Sequence, residues 1–261
     1  MRSPFASRDS PASGRWGPAS TLRRRNPILP HGRFRRARNP LARQLTLKLR
    51  RPASFARAEF ILSETNREAL AALDAWPGWH AGCLALVGPE GSGKTHLAHE
   101  WADRAKALIL DASCKDLSEA EGRPVLMEDA HKADPEALFH LINMAGSGGG
   151  LLLTSRSHPR SWPADLPDLR SRLNALPVAQ LGQPDDVVLE GVLRKFFRER
   201  NIRPTEDVYP YLMRRIERSV RMAREIVARL DEASVAEERD ITRSLARQIL
   251  EFDAQGPDLF E

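Results

Sequence analysis

Eight consecutive residues constrain this chain more than any others. Gly88-Pro89-Glu90-Gly91-Ser92-Gly93-Lys94-Thr95 fits the pattern GxxxxGK(S/T) at every position. The apolar run CLALVG (83–88) leads into it, and a segment with helical spacing (94–105) follows. The context therefore predicts a strand, a loop and a helix. The glycines let backbone N–H groups turn inward around phosphate oxygens, and the helix N-terminus adds partial positive charge. In such a cradle Lys94 pairs with the β- and γ-phosphates, and Thr95 offers its hydroxyl to Mg²⁺. Gly88, Gly91, Ser92, Gly93 and His96 complete the expected nucleotide-contacting stretch. The bland alternative is a glycine-rich turn that only joins strand to helix.

Further short apolar runs lie at 107–113, 125–127, 151–154 and 175–181. Helical spacing is read at 64–75, 135–146 and in DLPDLRSRL (165–173), with Ser63 placed to cap the first. Strands alternating with helices predict a parallel sheet, and strands apolar throughout predict one buried on both faces. From Gln183 onward only helices are expected, near 184–201, 205–216, 219–235 and 240–251, with Pro184, Pro204 and Ser219 at starts. The expected architecture is an α/β domain over 53–182 and a small all-helical domain over 183–253, followed by a short tail, 254–261.

Composition agrees with a core of this size, since hydrophobic residues are 41% of 261. Cys83 and Cys114 are too few for a disulfide framework or a four-cysteine zinc site, so a reducing, cytoplasmic setting is the default expectation. No apolar run approaches the roughly 20 residues that span a bilayer, and no membrane partner is expected.

The net charge of +5 is unevenly spread. Residues 1–40 hold ten arginines, six prolines and a single acid, Asp9, giving +9 and leaving the remaining 221 residues at −4. The body is thus mildly acidic and argues no basic nucleic-acid surface. Residues 1–43 read as a disordered basic tail. They admit three accounts: an arm touching nucleic acid or anionic lipid, an organelle transit peptide, or a translation start assigned too far upstream.

Other residues carry chemistry by position. Glu128 and Asp129 follow an apolar strand. The first can hold Mg²⁺ and the second can orient an attacking water, unless both are solvated acids at a strand end. Thr154 and Ser155 end the next strand, where they can reach a γ-phosphate or serve as ordinary polar termini. Arg172 and Arg221, read alone, are surface charges.

GPEGSGKTHLAH, VLMEDAH, LLLTSRSHP, LPDLRSRL and RSVRMAREIV occur in the order and spacing of the AAA+ module of the bacterial replication initiator DnaA, which this chain resembles over about residues 44–252. Within that group it looks like Hda, the shorter relative that inactivates DnaA. The sequence ends about where DnaA continues into a helix-turn-helix. Gln44-Leu45-Thr46-Leu47-Lys48-Leu49 resembles the QLxLPL-type peptide with which Hda docks on the DNA polymerase sliding clamp.

The resemblance implies an AAA+ P-loop NTPase core with a helical lid, ADP or ATP with Mg²⁺ as ligands, and DnaA and the clamp as partners. DNA is met only through the clamp, and homo-oligomer formation is left open. It implies that Lys94, Thr95 and Glu128 bind nucleotide and metal. Arg172 becomes an arginine finger acting in trans, Arg221 the sensor arginine of the lid, and Gln44, Leu45, Leu47 and Leu49 the clamp anchors. The hexapeptide also reads as a β-strand, its leucines sharing one face.

Two positions depart from the family. Lys48 stands where the clamp peptide has proline, implying weaker docking. Glu128 stands where aspartate is usual, and it reaches farther. The function so implied is negative regulation of replication initiation by stimulating hydrolysis of DnaA-bound ATP, with slow or absent turnover of its own. A self-sufficient, DNA-stimulated ATPase of helicase-loader type is the competing expectation, and a nucleotide-gated module without catalytic consequence is a third.

Three constellations are set aside. His96 and His99 lie i, i+3 on one helix without a third metal ligand. Cys114 beside Lys115 has no partner base. Trp76 and Trp79 are expected as core or loop anchors rather than as a base-stacking platform.

Overall fold

A computed structural model describes residues 55–254. The basic tail, the segment carrying Gln44, Leu45, Leu47 and Leu49, and residues 255–261 lie outside those described.

The first long helix, α1 (Glu64–Asp74), begins after Ser63, whose backbone N–H donates to Asn66 Oδ1 at 2.9 Å. There follow β1 (Cys83–Val87), α2 (Lys94–Ala105), β2 (Leu108–Leu110), β3 (Val125–Met127), α3 (Pro135–Ala145), β4 (Leu151–Ser155), α4 (Pro167–Ala175) and β5 (Val178–Gln180). The five strands form one sheet in the order β2-β3-β4-β1-β5, and every pairing is parallel.

The period of two along each strand divides the core. Leu84, Leu86, Leu126 and Leu152 face α1 and α2, while Cys83, Val125, Met127, Leu151 and Leu153 face α3 and α4. On the first face Trp101 is completely buried, stacked on Trp79 at 5.1 Å and edge-on to Trp76 at 6.0 Å, so Trp79 anchors the core and the half-buried Trp76 packs at its edge.

Two strands are shorter than the apolar runs suggested. At β2 the reason is local: Asp111 Oδ1 accepts from the Ser113 N–H at 2.8 Å and from its hydroxyl at 2.6 Å, turning the chain.

After β5 come α5 (Asp186–Glu199), α6 (Val208–Met213), α7 (Val220–Glu237) and α8 (Arg243–Ala254), which share a hydrophobic core of their own around Leu189, Phe197, Leu212, Val227 and Leu245. The caps explain the helix starts. Asp185 Oδ1 accepts from Val188 N–H at 2.9 Å, and Ser219 Oγ from Met222 N–H at 3.0 Å. The second of these helices, α6, is only six residues long, because Thr205 is turned toward Ile241, donating its N–H to that carbonyl at 3.1 Å. No helix among the described residues is long and apolar enough to cross a membrane.

Candidate functional site

Strand order sets where chemistry can occur. β1 lies between β4 and β5, with β3 beyond β4, and all run parallel. Their C-terminal ends therefore gather the 88–95 loop, Glu128-Asp129 and Thr154-Ser155 along one edge, where open α/β sheets bind ligands.

The loop needs its glycines. Gly91 and Gly93 have φ of +73° and +96°, a region that side chains rarely adopt. A Cβ on Gly91 would stand 2.5 Å from Ser219 Cβ, because the start of α7 is seated on the loop. There the Val220 N–H donates to the Gly91 carbonyl at 2.9 Å. Lys94 Nζ is folded back onto the loop and donates to the Gly88 and Pro89 carbonyls, both at 2.8 Å. Burial pushes the Lys94 pKa below the ordinary lysine range, and the nearby Arg156 cation pushes the same way. The Ser92 hydroxyl is buried with no hydrogen-bond partner among the described residues.

Thr95 donates to Glu128 Oε1 at 2.9 Å, and His99 Nε2 lies 3.2 Å from Glu128 Oε2. The longer carboxylate is thus pinned at both oxygens. A hydroxyl and one carboxylate suit Mg²⁺, a hard cation that completes its octahedron with waters and phosphate oxygens. The described residues contain no cluster of three or more His, Cys, Asp or Glu able to hold a metal alone.

Asp129 adopts φ +52° and donates its N–H to Thr154 Oγ1 at 3.2 Å. The Lys132 ammonium, 2.6 Å from its carboxylate, holds the Asp129 pKa below the usual range. The neighbouring Ser155 hydroxyl is 3.1 Å from His131 Nδ1. His96 points elsewhere, with Nε2 3.3 Å from the Ala56 carbonyl and its ring beside Phe55 and Phe60. Burial lowers its pKa and favours the neutral ring.

Two cations meet on the loop's own acid. Arg221 NH1 lies 2.7 Å from Glu90 Oε1, and Arg156 NH1 lies 2.7 Å from Glu90 Oε2. Neither Glu90 nor Arg156 stood out in the sequence. An acid inside a phosphate cradle was the available signal, since it repels the ligand the cradle fits.

Arg172 is not gathered with the others. It is exposed on α4, its guanidinium 5.2 Å from the Phe139 ring centroid. Its charge acts on the Cys83 thiol at the start of β1, whereas the loop leaves the strand's other end. Arg170, two residues earlier, is tied to the Arg160 and Trp162 carbonyls, both at 2.9 Å.

Residues 190–250 match the family model described as "Hda, lid domain". Solved structures share the fold at low identity. Domain III of the Thermotoga maritima replication initiation protein DnaA is 20% identical, with a TM-score of 0.65 over 79% of this chain and 100% of that one. AMPPCP-bound DnaA from Aquifex aeolicus is 18% identical, with a TM-score of 0.57 over 69% and 66%. The Thermotoga maritima RuvB Holliday junction branch migration motor is 19% identical, with a TM-score of 0.61 over 79% and 76%. The lid-domain match, set on this sheet topology, supports an Hda/DnaA-related AAA+ protein.

Proposed function

We propose that this chain binds an adenine nucleotide at the 88–95 loop and acts as a regulator of DnaA, stimulating hydrolysis of DnaA-bound ATP from a position on the sliding clamp. The observation that carries the reading is the seating of an Hda-type lid on a complete phosphate loop, through Val220 and Gly91. The solved DnaA homologue with AMPPCP bound supports the choice of ligand.

In this reading the loop N–H groups and Lys94 hold the β- and γ-phosphates, and Thr95 and Glu128 hold Mg²⁺, which neutralises phosphate charge. Asp129 and Thr154 stand beside the terminal phosphate, with Arg221 over it from the lid. Arg172 serves a neighbouring molecule's nucleotide rather than its own. Its exposure on α4 and its action at the far end of β1 from the loop support that role. A guanidinium so inserted stabilises the charge that develops on the transferred phosphoryl, an effect worth about 10³–10⁵ in rate where measured. Gln44, Leu45, Leu47 and Leu49 supply the tether by adding an extended segment to a hydrophobic pocket on the clamp.

The test is ATP hydrolysis by purified cognate DnaA with clamp loaded on DNA, comparing wild type, Arg172→Ala and Gln44→Ala. Acceleration by wild type alone upholds both finger and tether. Equal acceleration by Arg172→Ala removes the finger. Hydrolysis by this protein alone, stimulated by DNA, replaces the regulator with a self-sufficient ATPase.

A further inference from the structure

We infer that Glu90 is a built-in competitor of the ligand's phosphates, and that it sets how strongly the site favours more highly charged polyphosphates. The inference rests on the nucleotide reading above.

The carboxylate spends both oxygens on two guanidiniums from different parts of the chain: Arg156, just past β4, and Arg221, in the first turn of α7. Those cations flank the loop, and beside them Lys94 is turned inward onto loop carbonyls. Three positive groups thus surround the cradle, and one negative side chain of the loop satisfies two of them. An arriving polyphosphate offers oxygens to the same guanidiniums. It must displace Glu90 or accept a carboxylate close to its own charge. Either way Glu90 opposes binding, and the opposition grows with each added phosphate because Coulomb repulsion scales with ligand charge.

The clasp also joins lid to loop. It lies beside the Val220–Gly91 backbone bond, so displacing Glu90 from Arg221 loosens the first turn of α7. The three side chains are about half exposed or more, at 45% for Glu90, 55% for Arg156 and 70% for Arg221, which keeps the effect modest.

Glu90→Gln keeps the side-chain shape and removes the charge. Calorimetric titration of wild type and E90Q with ADP and with AMPPCP is the experiment. It is joined by hydrogen exchange of the Val220–Ala223 amides in the ligand-free proteins. The expected result is about fivefold tighter binding of AMPPCP to E90Q, a smaller gain for ADP, and faster exchange in the first turn of α7. Binding to wild type that E90Q changes by less than twofold for both ligands overturns the competition and leaves the nucleotide reading standing. Failure of both proteins to bind either ligand overturns the nucleotide reading, and the competition with it. Equal gains for ADP and AMPPCP overturn the charge dependence, and unchanged exchange overturns the link to the lid.

Discussion

Thr95 donates its hydroxyl hydrogen to Glu128 Oε1 at 2.9 Å, tying the first turn of α2 to the end of β3 across the sheet edge. These are the two side chains assigned to the metal. A neutral amide at 128 keeps the hydrogen bond but loses the charge that attracts a divalent cation. Glu128→Gln is therefore predicted to weaken nucleotide binding in the presence of Mg²⁺ about tenfold, or about 1.4 kcal/mol. Binding in excess EDTA should change far less. Titrations under both conditions decide it, and equal losses in the two would remove Glu128 from the metal site.

Gly91 cannot carry a side chain without moving the lid. Its φ is +73°, and an added Cβ meets Ser219 at 2.5 Å. Gly91→Ala is predicted to unseat the start of α7, lower nucleotide affinity at least tenfold, and lower the thermal midpoint by a few degrees. A variant with wild-type affinity and midpoint would show that lid and loop do not depend on this contact.

The buried Lys94 predicts a pH dependence. Its pKa in the free protein lies below the ordinary 10.5, chiefly through desolvation. A bound polyphosphate favours the charged form and raises that pKa. Affinity is then full while the free lysine is protonated. It falls as pH rises through the depressed free-state pKa, and levels off only above the bound-state value. Titrations between about pH 7.5 and 10 should show weakening affinity with proton uptake on binding. A flat wild-type profile, or a slope that persists in Lys94→Met, would refute the assignment.

Trp101 carries a large share of the packing between α2 and the sheet. It is fully buried against Trp76 and Trp79. Trp101→Ala is predicted to cost about 3–5 kcal/mol, read from urea unfolding, because neighbours on three elements cannot all collapse into the space. A loss under about 1 kcal/mol would mean that the tryptophan cluster is loosely packed.

Cys83 provides a control on the core. Burial pushes its thiol pKa up to about 11, and its side chain lies between the sheet and the α3–α4 layer, whereas Cys114 is partly exposed. A thiol reagent at about pH 8 should label Cys114 in the native protein and reach Cys83 only on unfolding. Native labelling of both at equal rates would contradict the packing around β1.

Local signals made much of the fold legible. The phosphate loop fixes both its neighbours, so α2 runs from Lys94 to Ala105 as its spacing suggested. β3 likewise coincides with the apolar triplet 125–127. What could not be read were relations between distant residues. His96 and His99 share a helical face and invite pairing, but tertiary structure separates their tasks. His99 turns to Glu128, while His96 turns to the Ala56 carbonyl. The meeting of Glu90, Arg156 and Arg221 depends on how a loop, a strand end and a lid helix come together, and no spacing rule encodes that. β2 and β5 ended early because turns and edges, rather than hydrophobicity, set strand length.

The first turn of α7 rests on the phosphate loop, and the helix continues for 18 residues within the packed lid. At 1.5 Å per residue that is a rod of about 27 Å. Its fulcrum lies on Gly91, so a pivot of about 10° there would swing the far end through about 5 Å. On the proposed reading the lid would act as a pointer, turning the presence or absence of one phosphate at the loop into a displacement large enough for a second protein to detect far from the ligand.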